Sequence, residues 1–335
     1  QSFIDTFKQF KFIRPLSADD TDTMVAWEPV GVVAAITPWN WPMNQITLKV
    51  IPALLAGNTV ILKPSEIAPL SAIVWTEILH EAGLPNGVFN MVNGDGVGVR
   101  TQLSTHPDVA MVSFTGSTRA GIAITKAAAD TVKKVVLELG GKGANVVFAD
   151  ADNAGIEGTI GYCFLNSGQS CNAPTRLLVE RSRYDDVVAL AKNIAENTAV
   201  ATAHQSGDHI GPVISKLQWD KIQALINKGI EEGAKLVAGG TGLPEGLDKG
   251  YYVKPTVFAD VNNNMTIARE EIFGPVLSII PFDTEEEAIA IANDTIYGLT
   301  NYVQTSDVER KRRLARKLQA GMIEINGNNL PAGAA

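Results

Sequence analysis

From about residue 30 onward, short unbroken apolar runs alternate with longer stretches of helical periodicity. The strand-type runs fall at 30–36, 59–63, 88–92, 109–114 and 134–139, and the helix-type stretches between them at 44–55, 70–82, 97–104 and 119–129. Strands without a polar face predict a parallel sheet covered by helices on both sides, a doubly wound α/β unit. The pattern then restarts. Residues 143–148, 175–180, 251–258, 276–282, 300–305 and 322–326 read as strands, and 152–165, 184–197, 219–232, 285–293 and 308–318 as helices. The fold class predicted is therefore α/β with two wound units meeting near Gly140-Gly141. Residues 10–28 read as extended segments around the polar turn Ser17-Ala18-Asp19-Asp20 and belong to neither unit. The chain begins inside what reads as a helix and stops just after a strand, which predicts a fragment.

Composition narrows the classes. A chain of 335 residues can bury a sizeable core, and 45% hydrophobic with 19% charged residues is an ordinary globular balance. The net charge of −8 argues against a nucleic-acid partner. No run reaches the ~18 apolar residues of a membrane span, and the N-terminus lacks the basic-then-apolar layout of a secretory leader. Two cysteines suit a reducing, cytoplasmic compartment better than a disulfide-bonded fold. With four scattered histidines they offer no metal-ligand spacing, so no metal site is expected. The charge run Glu309-Arg310-Lys311-Arg312-Arg313 reads as a solvated helix face.

Four segments carry candidate chemistry. Cys171 lies in the small, polar stretch Asn166-Ser167-Gly168-Gln169-Ser170-Cys171-Asn172, where a thiol can be reachable and flanked by backbone N–H donors. The competing reading, a buried thiol acting as a small hydrophobe, suits Cys163 better, because it sits in the run Ile160-Gly161-Tyr162-Cys163-Phe164-Leu165. Glu138 ends an apolar strand. Burial there would raise its pKa and make it a general base, while a solvent-facing strand-end glutamate is the alternative. Asn40 lies in Thr37-Pro38-Trp39-Asn40-Trp41-Pro42, after the first wound strand. It could donate to an oxyanion or simply form an Asx-turn. Gly-x-Gly-x-x-Gly after the first strand is missing, and Gly94-Asp95-Gly96-Val97-Gly98 is weak evidence for a nucleotide. Gly116 and Ser117 join a buried strand to a helix start. That is a place for phosphate or for a plain helix cap. Lys63-Pro64-Ser65-Glu66 ends the second strand. A carboxylate there accepts ribose hydroxyls and opposes a 2′-phosphate, favouring NAD, with NADP as the alternative acceptor.

Taken together these segments resemble the aldehyde dehydrogenase superfamily. The matching text is Thr-Pro-Trp-Asn at 37–40, Gly-Asn-Thr-Val-Ile-Leu-Lys-Pro-Ser-Glu at 57–66 and Phe-Thr-Gly-Ser-Thr at 114–118. It continues with Glu-Leu-Gly-Gly-Lys at 138–142, Gly-Gln-Ser-Cys at 168–171 and Glu-Glu-Ile-Phe-Gly-Pro-Val at 270–276. The resemblance implies that Cys171 is the nucleophile, Glu138 the base that activates water, and Asn40 an oxyanion donor with the Cys171 backbone N–H. It implies that Lys63 and Glu66 hold the adenine ribose and that Trp39, Gly116 and Ser117 lie near the pyrophosphate. Leu139 joins the cofactor-facing set, Glu271 binds the nicotinamide ribose and Phe273 packs near the nicotinamide. Lys49 matches a lysine near a proton path, and Gln218 and Lys221 match positions at the ribose end. Trp41, Leu165, Ser170 and Asn172, with Asn329, would line the substrate entrance.

The fold implied is a Rossmann-like NAD-binding domain over 30–140 and a catalytic domain over 141–335 lacking its C-terminal end. Residues 1–29 would supply a helix end and bridging β-strands of an oligomerisation arm, so a homodimer or homotetramer is implied. The activity implied is oxidation of a small-molecule aldehyde to the acid through a thiohemiacetal and a thioester on Cys171. Two rivals remain. Acyl transfer to coenzyme A would leave Glu138 without a task, and a non-catalytic structural member would have no need of Asn40, Glu138 and Cys171 together.

Overall fold

A computed structural model describes residues 2–20 and 22–327, and Asn329, expected at the substrate entrance, lies outside them. Helix α1 (Ser2–Gln9) leads into β1 (Ile13–Pro15) and β2 (Met24–Ala26). These two strands pair antiparallel, Ile13 opposite Ala26, with the polar turn between them.

The residues up to Leu139 form one compact unit. Its five-stranded sheet runs β5 (Phe89–Met91), β4 (Thr59–Lys63), β3 (Val32–Ile36), β6 (Val109–Thr115), β7 (Lys134–Glu138), all parallel. The crossovers are α2 (Pro42–Leu55), α3 (Leu70–Glu81), α4 (Gly98–Thr105) and α5 (Thr118–Ala128). Alternation along β3 explains the layering. Ala35 packs with Ile46, Val50 and Ala72 on one face, while Ala34 and Ile36 pack with Val112, Phe114 and Ile124 on the other. Chain order in this sheet reverses between β3 and β6, so a switch point opens at their carboxyl ends. Pro42 starts α2 two residues earlier than the periodicity predicts, because its missing N–H falls where no helical partner exists.

The residues from Gly140 form a second unit. Its seven-stranded sheet runs β10 (Lys235–Ala238), β11 (Thr256–Ala259), β12 (Val276–Phe282), β9 (Arg176–Glu180), β8 (Ala144–Val147), β13 (Thr300–Gln304), β14 (Met322–Ile325). Only β10 is antiparallel to its neighbour. Helices α6 (Asn153–Phe164), α7 (Tyr184–Asn197), α8 (Lys216–Glu231), α9 (Thr266–Arg269), α10 (Glu285–Asn293) and α11 (Val308–Lys317) cover it. One apolar cluster includes Phe258, Phe282 and Leu314, and a second includes Ile156, Ile160 and Val187.

Three differences from the sequence reading have local causes. Helix α8 starts at Lys216, before 219, because the Ser215 hydroxyl accepts from the Gln218 N–H and caps it. Strand β11 begins only at Thr256, since Pro255 has no N–H to give a ladder. Strand β10 opens on the exposed Lys235 and Leu236, so no buried apolar run marks it, and helix α9 is a single turn of four residues.

Candidate active site

The residues singled out from sequence fall into two sets, one in each unit. In the first unit they gather at the carboxyl end of the sheet. The loop after β3 carries Trp39, Asn40 and Trp41, all half-buried, and the Thr37 N–H donates to the Lys63 carbonyl at 3.1 Å. Lys63 ends β4 with its side chain buried, and its Nζ donates to Glu66 Oε2 at 2.8 Å. Burial opposes ionisation of Glu66. The Lys63 ammonium and backbone N–H groups nevertheless hold its carboxyl below the usual range.

Gly116 and Ser117 link β6 to α5, and a Cβ on Gly116 would collide with the Phe114 ring. The Ser117 hydroxyl accepts from the Ala120 N–H at 3.3 Å and caps α5. Leu139 packs on α5, where a Cβ on Gly121 would meet its Cδ2 at 2.7 Å.

Glu138 ends β7, and its carbonyl accepts from the Gly116 N–H at 3.0 Å. The expectation of a buried carboxylate there fails, because the side chain is exposed. The last residue of an edge strand has a neighbouring strand on one side only, which leaves it open. Lys49, on α2, is the buried charge instead. Burial pulls its pKa from 10.5 down to about 8, with the Glu138 charge partly opposing, and its Nζ donates to Ser113 Oγ at 3.3 Å. Ser113 had no sequence signal, being one polar residue inside an apolar strand.

The fit of this face to a dinucleotide can be tested on the chain itself. Two helix N-termini, at Pro42 and Thr118, follow the two strands of the switch point, where free N–H groups favour a diphosphate. The hydroxyls of Thr37 and Thr115, at the ends of those strands, are buried and have no hydrogen-bond partner among the described residues. The carboxylate of Glu66, held below its usual range, lies three residues beyond the end of β4, where a ribose would be met. These residues fit the group.

The second unit holds the thiol. Helix α6 runs into a tight turn at Leu165–Gly168, in which Asn166, Ser167 and Gly168 take φ of 52°, 56° and 72°. Left-handed backbone at two consecutive non-glycine residues stores strain of about 1–3 kcal/mol each. Anchors hold it in place. Ser167 Oγ donates to the Gly211 carbonyl at 2.7 Å, and Gln169 Oε1 accepts from the Ile214 N–H at 2.8 Å. A Cβ on Gly168 would overlap the Gly274 carbonyl, so this loop lies directly on the segment that carries Phe273.

Cys171 follows, half-buried, in a turn closed by the Ala173 N–H donating to the Ser170 carbonyl at 3.1 Å. Cys163 is sealed in α6, and burial pushes its thiol up to about 12. Glu271 is half-buried, desolvation raises its carboxyl, and the Gly141 N–H donates to its Oε1 at 3.0 Å. Lys221 Nζ donates to the Glu271 carbonyl at 2.7 Å. Gln218 contributes its N–H to the cap of α8. Phe273 is half-buried with φ of 61°. A Cβ on Gly141 would overlap the Cys171 carbonyl oxygen, so the 140–142 segment packs against both Cys171 and Glu271.

Of the residues expected at the substrate entrance, Leu165 is 49% exposed and borders a cavity of about 440 Å³ with Asn166 and Ser167. Ser170 is buried, and the Asn172 amide donates to the Tyr162 hydroxyl at 2.8 Å. Tyr162 and Tyr302, which also bonds Asn172, were not found from sequence, because nothing local to the apolar run around Tyr162 or the mixed strand around Tyr302 marks them as partners of Asn172.

Comparison with known proteins gives the family of the chain. A sequence model described as "Aldehyde dehydrogenase family" matches residues 4–334. A 3-succinoylsemialdehyde-pyridine dehydrogenase of a Pseudomonas species is 53% identical over 306 residues, covering 91% of this chain and 64% of that protein. A crystal structure of an aldehyde dehydrogenase from Bartonella henselae superposes with a TM-score of 0.97 at 61% identity, covering 98% of this chain and 69% of that one. A mutant of aldehyde dehydrogenase C from Pseudomonas syringae, complexed with NAD+ and octanal, gives 0.94 at 46% identity, covering 98% and 68%. The chain thus spans just under two thirds of the curated relatives it matches.

Proposed function

This chain belongs to the aldehyde dehydrogenase family, and from that premise we propose that the protein oxidises an aldehyde to a carboxylic acid with NAD, using Cys171 as nucleophile. The observation that carries the proposal is the contrast between the two thiols. Cys163 is locked in the core with its proton held, while Cys171 stands at the corner of a braced turn.

The proposed roles follow from residue chemistry. The Cys171 thiolate attacks the aldehyde carbon and forms a thiohemiacetal. The Asn40 amide and the Cys171 backbone N–H donate to the developing oxyanion, a contribution typically of about 3–4 kcal/mol per donor. NAD, when bound, supplies the hydride acceptor. Cys171 is then left as a thioester. Glu138, open to solvent, takes a proton from the water that hydrolyses it. Lys49, at about 8, can pass that proton onward through its neighbourhood with Glu138. Lys63 and Glu66 hold the adenine ribose, Trp39, Gly116 and Ser117 the diphosphate, and Glu271 the other ribose, with Leu139 and Phe273 against the rings. Support for NAD over NADP is the Glu66 carboxylate, which would repel a 2′-phosphate.

The protein is further proposed to be cytoplasmic and to form a homodimer or homotetramer. No described helix is long and apolar enough to cross a membrane. Support for the assembly is the exposure of Ile13, Met24 and Trp27 on and beside the β1–β2 ladder, at 66%, 51% and 54%. The direct test is turnover of an aldehyde panel with NAD by the full-length protein and its Cys171→Ser variant. The variant is expected to lose dehydrogenase activity, and near-wild-type turnover would overturn the proposal.

A further inference from the structure

The residue after the nucleophile is held from three directions. In the turn Ser170–Ala173, Cys171 and Asn172 are the two central positions, closed by the Ala173 N–H to Ser170 carbonyl bond of 3.1 Å. The Asn172 side-chain amide donates to the Tyr162 hydroxyl at 2.8 Å. The Asn172 carbonyl accepts from the Tyr302 hydroxyl. The two phenol rings meet edge to face with centroids 6.4 Å apart, so each also fixes the other. Tyr162 projects from α6, and Tyr302 lies in β13, 1% exposed. The backbone at Cys171 is meanwhile blocked on another side by Gly141.

We propose that Tyr162 and Tyr302 are positioning residues for Cys171: by pinning both ends of Asn172 they fix the turn that aims the thiol. The inference rests on Cys171 being the nucleophile. The chemistry of the phenols suits the task. Burial raises both hydroxyls, and the charges of Glu324 and Cys171 add to it, so each remains a protonated phenol at working pH. Tyr302 is thus a permanent donor to the Asn172 carbonyl. Tyr162 is a permanent acceptor for the Asn172 amide, and its ring keeps it on α6, the helix that leads into the strained 165–168 turn. Asn172 therefore acts as a peg of this turn.

The test uses the full-length protein and phenol-to-phenyl changes that keep ring packing. Tyr302→Phe is expected to lower kcat about tenfold with the KM for NAD unchanged, because one hydrogen bond that orients the turn is lost. Tyr162→Phe and Asn172→Ala should have similar, smaller effects, and their double variant should be no worse than the stronger single one. Alkylation by iodoacetamide, followed by peptide mass so that Cys171 and Cys163 are read separately, supplies a readout that a merely stabilising role would not move. The pH profile of Cys171 alkylation should shift in Tyr302→Phe. An unchanged profile and unchanged kcat, with only a lower melting temperature, would overturn the inference, as would additive effects in the double variant. If the wild-type protein shows no activity that depends on Cys171, it is the nucleophile assignment that fails.

Discussion

Replacing Gly141 with alanine should disable Cys171 without altering a reactive group. A Cβ at position 141 would overlap the Cys171 carbonyl oxygen and lie 3.3 Å from its carbon and 3.4 Å from Leu299 Cβ. The main obstruction is backbone, which cannot rotate away as a side chain would. The carbonyl is also not free to drift, because Asn172, directly after it, is tied to Tyr162 and Tyr302. One chain must therefore move by about 1 Å, a displacement that can cost about a hundredfold in rate when it reaches a reacting atom. Overpacking should also cost about 1–3 kcal/mol of stability, a fall of roughly 2–10 °C in Tm. The assay is kcat/KM for aldehyde oxidation alongside a thermal melt, with Cys171 alkylation as the geometric readout. If Gly141→Ala stays within twofold of wild type in kcat/KM and melts at the same temperature, the close approach on which this reasoning stands does not exist.

Two further outcomes follow from the charges in the first unit. Below about pH 8 the Lys49 ammonium is charged in both folded and unfolded chain and its burial cost is felt in full. Between about 8 and 10.5 the unfolded chain keeps a proton the folded one has lost, so stability climbs with pH. Lys49→Met should accordingly raise stability by up to about 3 kcal/mol below pH 8, a gain that shrinks toward pH 10.5 in thermal melts; a pH-independent difference would contradict it. Glu66→Gln should raise the NADP-to-NAD ratio of kcat/KM by about tenfold or more, and an unchanged ratio in steady-state assays would remove Glu66 from the ribose site.

The alternation of buried strands and helices was legible because parallel strands covered on both faces are continuously apolar, as Val32–Ile36 and Val276–Phe282 are. Strand Lys235–Ala238 was not legible, since its first two residues are exposed and no continuous apolar run marks it. Contrast between the two cysteines could be read from their neighbours, one in an apolar run and one among glycine, serine and asparagine. Exposure of Glu138 could not, because it depends on β7 being an edge strand, and strand order is set by tertiary packing. The role of Tyr162 was hidden for the same reason: its partners Asn172 and Tyr302 come together only through α6 and β13.

The most direct measurement of the central claim is the intact and peptide mass of the Glu138→Gln protein mixed with an aldehyde and NAD. A burst of NADH matching the enzyme concentration is expected, with an acyl adduct on the peptide containing Cys171 and none on that containing Cys163. An active protein that forms its acid with no burst and no adduct on Cys171 would contradict that claim.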